Sequence, residues 1–352
     1  MQIGIDSFAT LVADPDTGLM LSGTQRIANL LEEIERADAA GIDIFGIGEH
    51  HRADALDSAP TLLLAAAAAR TRRIRLTSAV TVLSADDPVR VFQQFATLDL
   101  ISGGRAEMVV GRGSSIEAYP LFGHDLNDYD SLFVEKLGLL LQVREHAQVH
   151  WSGRHRAALS GQGVYPRPVQ AQLPIWLGVG GTPQSFARAG SLGLPLMVAI
   201  IGGDFRRFRP LVDLYRQAGQ QAGYTPDQLP VGVHAFGFVA ETSQAARDAF
   251  YPGYERMMSG IGRERGWGPP TRAQFDAASG PTGPFLIGDP ETVAQKVLYV
   301  HQVLGGLSRM TFQMTNAMLA HAAMLRAIEL LGTRVAPLVR ERLAAQDAAV
   351  RL

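Results

Sequence analysis

Residues 74–111 read IRLTSAVTVLSADDPVRVFQQFATLDLISGGRAEMVVG, and this stretch decides the fold. Ile74 to Val82 is strand-like and rich in β-branched side chains, and Ala106 to Gly111 is a second apolar strand. Between them Pro88 opens a helix that runs to Ile101, proline being suited to a first helical turn that does not need its N–H. The same unit recurs on either side. Further strands are read at 3–8, 42–48, 173–179, 195–201, 231–240 and 308–314, and helices at 24–40, 58–70, 129–148, 183–189, 205–222, 244–261, 290–304 and 320–331. Eight strand–helix units with strands this uniformly apolar describe a parallel sheet covered on both faces. Closed on itself, it is a (β/α)8 TIM barrel. A doubly wound open sheet competes less well, because no strand–GxGxxG–helix unit opens the chain.

At 352 residues the chain is longer than the usual barrel of about 250. The excess falls in loop insertions at 113–128, 149–172 and 262–283, and in a C-terminal helical tail after Thr333. Residues 1–352 are expected to form one domain.

Hydrophobic residues at 47% and charged residues at 19% describe a soluble globular enzyme. The 32 basic and 34 acidic residues leave a net charge of −2, too small a field to attract nucleic acid or an anionic membrane. No apolar run approaches the roughly 18 residues of a membrane span. Met1-Gln2-Ile3 enters a strand directly with no basic leader, so the expected address is the cytoplasm. The absence of cysteine excludes a disulfide, a thiol nucleophile, a thiolate zinc site and an iron–sulfur cluster. Only Lys136 and Lys296 are lysines, both on helix-patterned segments, which argues against a Schiff-base or P-loop lysine.

Barrel enzymes carry their chemistry at the carboxyl ends of the strands. The second strand ends Gly48-Glu49-His50-His51-Arg52, a cluster open to acid–base work, to a hydrogen-bonded rim or, least well, to metal ligation. The fourth ends Val110-Gly111-Arg112-Gly113, where glycines let a ligand approach and a guanidinium can fork an oxyanion, or pair with an acid of the rim. The fifth ends Gly180-Gly181-Thr182-Pro183-Gln184-Ser185, with no acidic residue from Gly180 through Arg188. Glycines, hydroxyls, free N–H groups and a helix dipole there make an anion socket suited to phosphate; the plain alternative is a turning loop.

Taken in order, these segments resemble the bacterial luciferase-like family of flavin-dependent monooxygenases and oxidoreductases. The resemblance adds Leu76 to Leu83, Asp87-Pro88-Val89-Arg90, Leu98 to Arg105, Gly193-Leu194-Pro195 and Phe285 to Glu291, and covers nearly the whole chain. It implies FMN across the carboxyl ends of the strands, with its phosphate on Arg112, Gly180, Gly181, Thr182 and Ser185. The ring would rest on the third strand at a non-prolyl cis bond between Ala79 and Val80. It also implies that His50 serves the oxygen chemistry, with Glu49 and His51 behind it. Reduced flavin, from NAD(P)H directly or from a partner flavin reductase, would react with O2 and oxidise a small organic substrate. A deazaflavin (F420)-dependent dehydrogenase and a non-catalytic flavin-binding protein are the competing readings. Relatives dimerise through their second and third helices, so a homodimer is expected through Leu62 to Ala69 and Phe92 to Leu100. The stretch Gly262 to Gly283 is expected as a lid, with Trp267 and Phe275 as apolar cover.

Overall fold

The computed structural model describes residues 1–14, 17–113, 115–316 and 318–350. Its strands are β1 (Gln2–Ser7), β2 (Ile44–Ile47), β3 (Arg75–Ser78), β4 (Thr81–Val82), β5 (Met108–Gly111), β6 (Gln148–Trp151), β7 (Leu159–Gly163), β8 (Ile175–Val179), β9 (Leu196–Ala199), β10 (Val231–Val239), β11 (Leu286–Gly288) and β12 (Arg309–Gln313). The main sheet runs β3-β2-β1-β12-β10-β9-β8-β5-β4, parallel throughout. Here β3 and β4 are two halves of one strand, so nine segments fill eight positions. A parallel bridge between Leu76 and Ala106 brings the third position against the fourth, and the sheet closes as a barrel. All eight strands read from the sequence are present. The short β11 adds to the far end of β10, and β6–β7 is a separate hairpin that starts at Gln148, where the sequence reading still had helix, and occupies much of the insertion at 149–172.

The strands are parallel because helices separate them, and they are apolar because both faces are covered. Every residue of β5 and all nine of β10 are buried. The outer layer comprises α1 (Gly23–Ala40), α2 (Pro60–Arg70), α3 (Pro88–Ser102), the single turn α4 (Ala118–Leu121), α5 (Tyr129–Glu145), α6 (Pro183–Ser191), α7 (Arg209–Gln221), α8 (Ser243–Arg265), α9 (Arg272–Ala278), α10 (Pro290–Val303), α11 (His321–Leu330) and α12 (Ala336–Val350). Proline starts α2, α3, α6 and α10. Asp87 caps α3, its carboxylate accepting from the N–H groups of Val89 at 2.8 Å and Arg90 at 3.2 Å. The tail after Thr333 is helical, as expected, and forms α12.

Residues 262–283 do not form a lid. They hold the last turn of α8 and all of α9, and Phe275 is 1% exposed among Phe250, Tyr251, Tyr254 and Phe285. Trp267 is 55% exposed and does not line the cavity described below. The capping box at Thr271–Gln274 turns what looks like a Gly/Pro-rich loop into a helix start. The two lysines lie on helices but face inward. Lys136 Nζ donates to Ser84 O at 2.7 Å, and Lys296 Nζ to Gly280 O at 2.7 Å and Ser279 O at 3.0 Å, so each ties a loop to its helix.

Candidate functional site

At the carboxyl end of the barrel a cavity of about 520 Å3 opens between the strands. Phe8, Val80, Val109, Val179, Met197 and Phe208 give it an apolar wall. One side is the break between β3 and β4, where the Ala79–Val80 peptide is cis, as expected for that pair. Ala79 and Val80 both line the cavity. Two glycines make room there: a Cβ on Gly178 would stand 2.8 Å from Val80 Cγ1, and one on Gly111 3.0 Å from Val80 Cγ2. The Glu49 carboxylate holds β4 in place, accepting from Val82 N at 2.9 Å and meeting His51 Nε2 at 3.1 Å. Burial pushes this carboxyl above its usual range, against the lowering effect of those two hydrogen bonds.

The polar cluster after β2 divides its work. His50 lines the cavity, whereas His51 packs edge-on against Phe122 and lines a smaller hollow behind it. His50 Nδ1 lies 2.9 Å from Oδ2 of Asp57, a fully buried carboxylate that also accepts from His50 N at 3.1 Å. Asp57 thereby sets the ring's orientation, and Nε2 is the nitrogen left to offer to the cavity. Sequence reading did not single out Asp57, whose position in the loop before α2 carries no pattern.

Arg112, Thr182 and Ser185 come together as expected. Arg112 reaches from the end of β5 to α6, with NH2 donating to Ser185 Oγ at 3.3 Å and to Thr182 Oγ1 at 3.4 Å. Thr182 precedes α6 without its side chain capping it; Pro183 carries no N–H and Ser185 N donates to Thr182 O at 3.0 Å, so the helix brings its dipole and the Gln184 N–H rather than a full set of donors. Gly180, Gly181 and Thr182 line the cavity, and a Cβ on either glycine would meet nothing within 4 Å, which leaves space for a ligand. Ser185 is buried behind them, touching Arg112 rather than the cavity. Two tyrosines steady the loop: Tyr119 OH donates to Arg112 O at 3.0 Å and Tyr129 OH to Gly113 O at 3.2 Å. Burial pushes the Tyr119 hydroxyl up to about 12, so it stays a donor at any working pH. The other arm of the guanidinium is taken by Asp130, an exposed carboxylate in the first turn of α5. The rim ion pair weighed from the sequence is therefore present, and the residues expected to form the socket stand beside it.

Sequence reading missed a second polar group lining the cavity. Asp6, His234 and Thr311, on β1, β10 and β12, are buried together, His234 Nδ1 standing 2.6 Å from Asp6 Oδ2. The clearest signal was His234, the single polar residue of β10, whereas β1 and β12 carry other polar residues beside Asp6 and Thr311. Among the described residues no cluster of His, Asp and Glu is arranged to hold a metal, and no helix is long and apolar enough to cross a membrane.

The luciferase-like monooxygenase family profile matches residues 1–306. The 3,6-diketocamphane 1,6-monooxygenase of Pseudomonas putida is 25% identical over 350 residues, covering 86% of this chain and 90% of that one. Among solved structures, monooxygenase RslO1 from Streptomyces bottropensis is 23% identical and superposes with a TM-score of 0.83, over 96% of this chain and 99% of that one. The oxygenating constituent of the Pseudomonas putida 3,6-diketocamphane monooxygenase, a type II Baeyer–Villiger enzyme solved with FMN, is 21% identical with a TM-score of 0.75, over 96% and 98% of the two chains. The same fold carries other chemistry: an F420-dependent secondary alcohol dehydrogenase is 17% identical with a TM-score of 0.75, over 96% and 98%. A barrel with its broken third strand, a rim of glycines around Arg112 and a match running through most of the chain lead to one conclusion: this chain belongs to the luciferase-like monooxygenase family.

Proposed function

We propose that the chain is an FMN-dependent monooxygenase in which reduced flavin and O2 oxidise a small organic substrate inside the barrel cavity. One observation carries the reading: a guanidinium backed by Ser185, the Thr182 hydroxyl and two glycines before a helix start meet at one rim of a largely apolar cavity. That donor set fits a phosphate monoester. Arg112, Thr182 and the backbone of Gly180 and Gly181 would hold it, Ser185 would position Arg112 from behind, and Ala79 and Val80 would support the ring. Bound FMN supplies the electrons and the activation of O2. The protein binds, orients and excludes water through Phe8, Val80, Met197 and Phe208. His50, its Nδ1 held by Asp57, takes up or gives a proton at Nε2 next to the reacting region. With no dinucleotide fingerprint in the chain, reducing equivalents come from NAD(P)H bound loosely or from a partner reductase.

Residues 1–352 act as one catalytic domain in the cytoplasm, as a homodimer. The exposure of Leu62 at 71% and Leu100 at 48% supports contact through α2 and α3, whereas Phe92 and Phe95 are buried within the chain and take no part. A deazaflavin dehydrogenase is the second reading, favoured by the F420-dependent neighbour on the same barrel. Titration with FMN, riboflavin and F420, followed by anaerobic reduction with NADH or NADPH and admission of air, separates the two. FMN binding with oxygen-dependent reoxidation of the bound flavin is expected. Binding of F420 with no affinity for FMN sinks the monooxygenase reading.

A further inference from the structure

The wall opposite the phosphate socket is built as deliberately as the socket. Around the barrel the positions run β1, β2, β3–β4, β5, β8, β9, β10, β12, so β12 faces β5 and β1 faces β8. On that far wall the Asp6 carboxylate, 3% exposed, accepts from the Thr311 hydroxyl and meets His234 Nδ1 at 2.6 Å, while His234 Nε2 lies 3.3 Å from Gln313 Oε1. Gly46 of β2 is bare for the sake of this carboxylate, since a Cβ there would stand 2.2 Å from Asp6 Oδ1. Phe8, next to Ala9 with its left-handed φ of 45°, stacks on His234 at 5.9 Å and lies 4.7 Å from the His50 ring. A buried carboxylate–imidazole pair contributes little stability over well-packed apolar side chains. Its presence on a cavity wall points to a ligand.

We infer that His234, oriented by Asp6, hydrogen-bonds the pyrimidine edge of a flavin whose phosphate lies in the socket of Arg112, Thr182 and Ser185. The inference rests on the flavin reading of the site. A flavin pinned by its phosphate at β5 and β8 and laid across the mouth brings the far end of its ring to β10, β12 and β1. The polar pyrimidine edge, with its carbonyl oxygens and N–H groups, suits the network found there, and the dimethylbenzene edge would leave that network unpaired. Asp6 Oδ2 and Gln313 Oε1 are both acceptors, so the His234 ring faces them as a donor at Nδ1 and at Nε2, and the Nε2–H is the one shared between Gln313 and the ligand. His234 touches the ring in this arrangement; Asp6 is a positioning residue. A donor at that edge also favours the reduced ring, which carries more negative charge.

The test uses the full chain with FMN and riboflavin as probes. His234→Gln and His234→Ala should weaken both flavins equally, by about tenfold for one lost hydrogen bond. Arg112→Ala, at the other end, should weaken FMN alone. Because reduced flavin loses more, by another tenfold, the midpoint potential should fall by about 30 mV for a two-electron couple. Asp6→Asn should lower the potential in the same direction, a change that a merely structural role would not produce. The glutamine variant keeps a polar side chain on the wall if the alanine variant fails to fold. Wild-type riboflavin affinity and potential in His234→Gln overturn the inference, as does a loss confined to FMN. Failure of the wild-type chain to bind any flavin overturns the flavin reading and this inference together.

Discussion

Arg112 joins three things at once: the ion pair with Asp130, the hydroxyls of Thr182 and Ser185, and the ring of Tyr129 at 5.0 Å. An arriving phosphate must share this guanidinium with Asp130, so its affinity is set by a competition between two anions. Arg112→Ala should weaken FMN by about 1.5–3 kcal/mol, the range of a charge-assisted hydrogen bond, and leave riboflavin nearly untouched. Fluorescence titration of both flavins checks this, and equal losses would remove the phosphate assignment. His50 calls for the opposite expectation. His50→Ala should keep FMN affinity, since the socket lies elsewhere, yet lower substrate oxygenation by about 10²–10⁴-fold, with the two electrons of the reduced flavin passing to O2 to give hydrogen peroxide and oxidised flavin instead. Normal turnover, or joint loss of fold and flavin, would make His50 a prop for the loop through Asp57.

Elements rather than single side chains explain what could be read in advance. The eight strands were legible because burial on both faces leaves β5, β8 and β10 almost without polar residues. The socket was legible because a glycine-rich turn before a proline-started helix is a local pattern. The pairing of Asp6 with His234 was not, because it joins residues 228 positions apart and no spacing within either strand announces it. Asp57 and Asp130 lie much nearer their partners but at positions that carry no pattern, and the helix α9, beyond the one read at 244–261, escaped because tertiary packing of Phe275 outweighs the local glycines and prolines. The broken third strand yields a paired test. Gly178→Ala places a Cβ 2.8 Å from Val80 and should destabilise by about 1–3 kcal/mol while weakening flavin. Gly180→Ala, in open space, should leave the melting temperature unchanged. Equal melting temperatures for both variants would show that Val80 yields freely.

At the scale of the whole molecule, helices nearly three hundred residues apart, α1 and α11, are bound together. Arg26 of α1 is buried and pairs with Glu33 at 2.9 Å, and His321, at the start of α11, sets Nε2 2.9 Å from Glu32 and Nδ1 3.6 Å from Glu33. The carboxylates of Glu33 and Glu32 raise the His321 imidazole above its usual 6.5. The folded state therefore holds this proton more tightly than the unfolded chain does. The resulting stabilisation is fully present below 6.5 and disappears as pH rises through the raised folded value. The melting temperature of the wild type should exceed that of His321→Gln in acid and converge with it in alkali; a gap that stays constant with pH would assign the cluster a purely packing role. Closure has one more consequence, for synthesis on the ribosome. Asp6 is made 228 residues before its partner His234 and 305 before Thr311, and β1 stands with an unpaired edge until β12 has been translated. The cavity thus cannot exist before β12 does, and a nascent chain halted at residue 300 should show no flavin binding however well its helices have formed.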